Sequence, residues 1–179
     1  MYTSGSTGTT FDMIQNRNKI LHNTAASIFL GAAGGYYIGM KEAFIRMWVG
    51  DHAKKSWISR TAENLIMMDC SNLDEEALGK MVSVIKKKRV KCIIGYASAI
   101  GELGRYIEEH HMNTGDFCVK AILPISESMP SEVRRNLEKI FNCTVRSWYS
   151  NEENGIMGLQ REEDESYYID SCLLYTSDA

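Results

Sequence analysis

The stretch YTSGSTGTT at Tyr2–Thr10 packs hydroxyl side chains around two glycines. Gly5 and Gly8 let the backbone come close to a ligand and take up positive φ. Ser4, Ser6, Thr7 and Thr9 supply hydroxyl donors, and successive backbone N–H groups can form an anion nest. That chemistry suits a polyphosphate. The stretch has no Gly-Lys-Ser/Thr ending of a Walker A loop and no G-x-G-x-x-G fingerprint. Composition alone also allows a flexible Gly/Ser/Thr terminus, so both readings stand at this point.

Other candidate groups are weaker. Cys70, Cys92, Cys118, Cys143 and Cys172 include no C-x-x-C pair, which argues against a zinc site. The first four lie in or beside apolar runs and read as small buried hydrophobes. His110 and His111 are adjacent and cannot share one helix face as metal ligands do. The basic run Lys86–Arg89 reads as a solvated helix end, because the same helix begins with acidic residues.

A loop of this kind needs a scaffold, and the middle of the chain supplies one. Asn64–Cys70 (NLIMMDC) reads as a buried strand. In the segment after it, Leu78, Met81, Val82 and Ile85 define one helix face, with Asn72 and Glu75 as a capping box. Val90–Ala97 is the next strand, and Ile100, Leu103 and Ile107 mark a helix through about His110. Phe117–Ile125 is a third strand. Pro130 opens a helix bearing Val133, Leu137, Ile140 and Phe141, and Cys143–Ser150 closes the series as a strand. Upstream, Asn16–Met47 holds a helix, a turn at Gly34–Gly35 and the strand EAFIRMW. The alternation predicts an α/β fold: a mostly parallel sheet with helices on both faces. Ligands of such sheets bind beyond the carboxyl ends of the strands. The segments to inspect are therefore GYASA (Gly95–Ala99), PISES (Pro124–Ser128) and YSNEENG (Tyr149–Gly155).

Composition sets the frame. The 179 residues are 44% hydrophobic and 24% charged with a net charge of −3, the size and balance of one globular domain. No basic field attracts nucleic acid. The longest apolar run, AASIFLGAAGGYYIGM, is broken by four glycines and is too short to span a membrane. With no leader-like segment at the start, the expected location is the cytoplasm.

YTSGSTGTT resembles the phosphate-binding motif of the adenylate-forming enzymes, the acyl- and aryl-CoA ligase superfamily. YSNEENG resembles a second motif of that superfamily, Tyr-Gly-x-Thr-Glu. The stretch from AILPISES to SWYSNEENGI is similar to the phenylacetate–CoA ligase branch and, within it, to capsule-polysaccharide-biosynthesis members. The resemblance covers Tyr2–Ser171 and implies that residues 1–171 are a partial N-terminal, AMP-binding domain. The activity it implies is ATP-dependent activation of a small carboxylate. The acceptor stays open between coenzyme A, a sugar amine and a carrier protein. Under this resemblance Thr3, Ser4, Gly5, Ser6, Thr7, Gly8 and Thr9 wrap the β- and γ-phosphates of ATP, with Thr7 among the catalytic groups. Ser126, Glu127 and Ser128 lie along the adenine. Tyr149 stacks on the purine, and Ser150, Asn151 and Glu152 continue the nucleotide site. Glu153 matches the motif glutamate, a catalytic residue that holds Mg²⁺. Tyr96, Ser98 and Trp48 meet the acid.

Three departures bear on this. Thr10 and Phe11 stand where the family has Pro-Lys or Pro-Thr, Ser150 replaces a glycine, and Glu152 replaces a threonine. A degenerate member acting as a binding or scaffold protein in polysaccharide assembly is the competing expectation. The last eight residues, CLLYTSDA at Cys172–Ala179, resemble a translated sequencing-library adapter and are expected to lie outside the fold.

Overall fold

The computed structural model describes residues 2–3, 11–12, 17–48, 64–151, 155–162 and 166–169. The adapter-like segment Cys172–Ala179 lies outside them.

Five strands form one parallel sheet: β3 (Glu42–Arg46), β4 (Leu65–Asp69), β5 (Cys92–Tyr96), β6 (Ala121–Ile125) and β7 (Thr144–Val145), in the order β4-β3-β5-β6-β7. Cys92 to Gly95 in β5 and Ala121 to Pro124 in β6 are all buried. Both strands sit inside the sheet with layers on either side, and such strands are apolar throughout rather than alternating.

One face is covered by three helices: α2 (Glu75–Lys88), α3 (Ala97–Glu109) and α4 (Ser131–Phe141). Their periodic residues Leu78, Val82, Ile85, Ile100, Leu103, Ile107 and Leu137 join Ala43, Ile45, Ile93 and Ile122 in one core. The other face carries α1 (Arg17–Ala33) and a small antiparallel sheet of β8 (Trp148–Asn151), β9 (Gly155–Gln160) and β10 (Tyr167–Ile169). Leu30 of α1 and Leu159 of β9 pack there on Cys92, Ile94, Ala121 and Leu123. The turn after α1 places Gly35 at φ +88°, a left-handed conformation that glycine adopts without steric cost. The expected α/β fold with covered faces is what forms. A separate short hairpin pairs β1 (Tyr2–Thr3) with β2 (Phe11–Asp12).

Four local expectations change. The capping residue of α2 is Asp74, not Asn72: its carboxylate accepts from the Ala77 N–H at 2.8 Å. Asn72 instead accepts from the Asp74 N–H and donates to its side chain, so the expected Asn72–Glu75 box becomes an Asx turn feeding a carboxylate cap. The strand expected from Val90 begins at Cys92 and runs directly into α3 at Ala97. Phe117 to Lys120 precede the third strand rather than join it: Phe117 stacks edge-on against Phe141, with its centroid 4.8 Å away.

The fourth change shapes the site. Cys143–Ser150 is not one strand but two, in different sheets. β7 pairs with β6 at Ala121↔Thr144 and Ile122↔Val145, and the Arg146 N–H donates to the Ile122 carbonyl at 3.0 Å. The next parallel rung would need an N–H from residue 124. Pro124 has none, so the ladder ends and the chain departs into β8.

Candidate functional site

The carboxyl ends of β3, β5 and β6 meet the β8–β9 hairpin around a cleft of about 310 Å³. Arg46 ends β3, Tyr96 ends β5, Ile125 ends β6 and Ser126 follows it. Ser150, Asn151, Gly155 and Ile156 close the other side. Ser126 sits at φ +67°, a left-handed conformation that costs a non-glycine residue roughly 1 kcal/mol or more. Such a turn reverses the chain immediately after the strand and puts Ser126 at the cleft rim. Gly155, at φ +79°, lets the hairpin press on α1, since any Cβ there would collide with the Asn23 amide.

Arg146 fixes the hairpin in place. Its Nε donates to the Gln160 carbonyl at 2.7 Å and its Nη1 to the Ala33 carbonyl at 2.5 Å, so one guanidinium joins β9 to the C-terminal end of α1. Ser147 and Gln160 add reciprocal bonds and are both buried. This arrangement is what brings Ser150 and Asn151 over the ends of β5 and β6.

Arg46 defines the floor. Its guanidinium carbon lies 5.7 Å from the Phe44 ring centroid and 5.5 Å from that of Trp48, within cation–π range. Trp48 is itself anchored, its indole N–H donating to the Met68 carbonyl at 3.0 Å and its backbone N–H to Asp69 at 3.3 Å. Asp69, opposite Arg46 in the parallel register, also accepts from the Ser71 hydroxyl at 2.8 Å. That bond is the main reason its carboxyl titrates below the usual range. The buried Arg46 Nε has no hydrogen-bond partner among the described residues.

Of the residues the sequence singled out, Tyr96, Ser126, Ser150 and Asn151 come together in this cleft. Tyr149 is 53% exposed on β8, its ring tilted against Tyr167 at 5.8 Å, with a face free to stack. Trp48 supports Arg46 from the side. Glu127, Ser128 and Ser98 line a different groove between α3 and α4. Glu127 turns away from the cleft and accepts from the Ser98 N–H at 2.8 Å, at the start of α3. Thr3 lies in β1, whose pairing with β2 sets the two flanks of the glycine-rich stretch side by side. Ser4, Gly5, Ser6, Thr7, Gly8, Thr9, Glu152 and Glu153 lie outside the described residues.

The α3–α4 groove is larger, about 690 Å³, but its charged groups serve each other. Arg105 pairs with Glu102 and Glu109, and Glu108 accepts from Asn136. The smaller cleft holds Arg46, which forms no ion pair with any described carboxylate. Sequence reasoning missed both Arg46 and Arg146. Arg46 carried a signal, a basic residue at the carboxyl tip of β3 just after the apolar run Ala43–Ile45. Arg146 carried none, because its partners are carbonyls distant in the chain.

Cys70, Cys92 and Cys143 carry no reactive signature. Burial pushes Cys143 up to about 12 and raises Cys70 and Cys92 as well. Among the described residues no three His, Cys, Asp or Glu side chains gather as a metal site, and no helix is long and apolar enough to cross a membrane.

Solved structures share this architecture. A 2-hydroxyisobutyryl-CoA ligase, in complex with 2-HIB-AMP and CoA, superposes with a TM-score of 0.63 at 15% identity, over 93% of this chain and 37% of that one. The fold is that of the adenylate-forming ligases. The amide bond synthetase McbA from Marinactinospora thermotolerans shares the ligase fold with a TM-score of 0.62 at 11% identity, over 92% of this chain and 31% of that one. In sequence the chain is similar to Protein CapK of Staphylococcus aureus, 28% identical over 169 residues, which is 92% of this chain and 37% of CapK. No family model matches. The chain thus spans only 31–37% of the length of these three proteins.

Proposed function

We propose that the chain forms part of an ATP-dependent ligase that activates a small carboxylate as its acyl adenylate. The observation that carries this reading is the cleft. On a ligase fold, it gathers the strand-end residue Tyr96, the turn residue Ser126 and the hairpin residues Ser150 and Asn151 at one place. Hydroxyl and amide groups at strand ends are suited to a nucleotide. The glycine-rich stretch Thr3–Thr9 would cradle the β- and γ-phosphates, and the exposed ring of Tyr149 would stack on the adenine, a contact worth roughly 1–3 kcal/mol.

A carboxylate oxygen of the acid attacks the α-phosphorus of ATP. The bond to the bridging oxygen breaks, and pyrophosphate leaves with the electron pair. The donors of the glycine-rich stretch stabilise the charge that builds on the leaving group. Asn151 and Gly155, the described residues on either side of the motif in the sequence, both line the cleft. The motif residue Glu153 would hold Mg²⁺, which takes one or two carboxylates plus phosphate oxygens. The acyl group then passes to an acceptor nucleophile: coenzyme A, a sugar amine or a carrier protein. Similarity to CapK and to the capsule-related branch favours a role in polysaccharide assembly.

The competing reading, a binding or scaffold protein on the same fold, is favoured by Glu152 and by the missing lysine after the loop. ATP–pyrophosphate exchange over a panel of carboxylic and amino acids separates the two. The protein carrying the sequence that flanks this chain in its gene exchanges label on at least one acid, whereas residues 1–171 alone do not. No exchange by the longer protein on any acid would favour the scaffold.

A further inference from the structure

Among the described residues Arg46 has no carboxylate partner: its guanidinium meets only aromatic rings. Of the described carboxylates near this edge of the sheet, Asp69 is engaged by Ser71 and Trp48, and Glu127 by the Ser98 N–H. Neither forms an ion pair with Arg46. The guanidinium lies within cation–π range of the Phe44 and Trp48 rings, which neutralise none of its charge. Its Nε is buried without a hydrogen-bond partner among the described residues. Leaving a buried donor unsatisfied is costly, and a preorganised fork of N–H groups matches a carboxylate.

We propose that Arg46 binds a second carboxylate of the acid substrate, so that the site takes small dianionic acids. The proposal rests on the ligase reading above. The reacting carboxylate is the poorer partner for Arg46. It loses its charge when it becomes an acyl phosphate, so pairing it with a guanidinium would stabilise the ground state more than the transition state. A second carboxylate keeps its charge from binding to release, and its pairing with Arg46 serves affinity without opposing the chemistry. The cleft bounded by the described residues, about 310 Å³, is at the small end for ligand sites and suits a short acid. Tyr96 across the cleft would contact its body.

The test compares succinate and glutarate with butyrate and pentanoate in pyrophosphate exchange, using the protein with its flanking sequence. The unaltered protein favours the dianions. Arg46→Met raises KM for them by about thirtyfold or more, the loss typical when one partner of a buried charge pair is removed. KM for ATP moves far less, and Arg46→Lys restores part of the preference. Equal use of monoanions and dianions overturns the proposal and leaves the ligase reading intact. So does an Arg46→Met effect that falls on KM for ATP. Calorimetric titration with succinate, in the presence of a non-hydrolysable ATP analogue, reads the site without turnover. Succinate binding that is lost in Arg46→Met, with no exchange on any acid, keeps the anion site and removes the ligase reading. Absence of both exchange and succinate binding removes both.

Discussion

The two faces of the five-stranded sheet are closed by different means. On one face three amphipathic helices lay a continuous apolar layer, with Ile85, Ile93, Ile100, Leu103, Ile107 and Ile122 almost wholly buried. On the other, α1 buries little beyond Leu30 and leaves Ile20, Leu21 and Phe29 half or more exposed. There the β8–β9 hairpin buries Leu159 in a small apolar cluster and is further tied by point contacts: Arg146 to two carbonyls, and Gly155 against Asn23. The helical face follows from periodic burial. The face that bears the cleft depends on a few specific polar and steric contacts, and those contacts position the chemistry.

Mutations can break this contrast. The largest effect is expected on the helical face: Leu103→Ala should cost about 3–4 kcal/mol, within the usual range for a fully buried leucine. Denaturant unfolding measures it, and a loss below 1 kcal/mol would show that this layer is not the main core. Arg146→Met should cost about 2–3 kcal/mol, because it leaves the Ala33 and Gln160 carbonyls without their charged donor. Its signature is local. Amide exchange should quicken at Leu159 and Gln160 while α3 keeps its protection. Uniform loss of protection would mean that the two faces do not unfold separately.

The smallest effect sharpens the rim of the helical face. His110 lies 2.9 Å from Glu75, and this bond, together with one to the Tyr106 carbonyl, raises its pKa. Because the folded value is raised, the contact contributes fully below the pKa of an unfolded histidine. It is lost as pH rises through the folded value. In an NMR titration, Glu75→Gln should move His110 back toward the ordinary histidine value. An unchanged titration would show that the pair does not form.

Legibility in the sequence followed the same division. Leu78, Met81, Val82 and Ile85 announced their helix because a 3.6-residue period needs no distant partner to be seen. The strand cores around Cys92 and Ala121 were visible as short apolar runs. Of the candidate site residues, Tyr96, Ser126, Ser150 and Asn151 share the cleft, and the sequence pointed to the segments that hold them because strand ends are where such sheets bind ligands. Glu127 follows a strand too, but its carboxylate serves the start of α3, and nothing in its neighbours' identities said which way it would turn. The splitting of Cys143–Ser150 hung on Pro124. The proline was in plain view, but its missing N–H matters only once β7 is known to lie beside it.

By itself, then, the sequence settled the main helices and the strand cores of the parallel sheet, because periodic burial is written into neighbouring residues. It also displayed the two motifs whose likeness to the adenylate-forming ligases agrees with the observed fold. Only the tertiary structure decided that Arg46 lies beside the Phe44 and Trp48 rings with no carboxylate partner among the described residues, that Arg146 ties β9 to α1, and that Ser98 and Glu127 face a separate groove. Each of these depends on which side chains, distant along the chain, are brought within hydrogen-bonding reach. The order of strands in the sheet sets that proximity, and no local pattern encodes it.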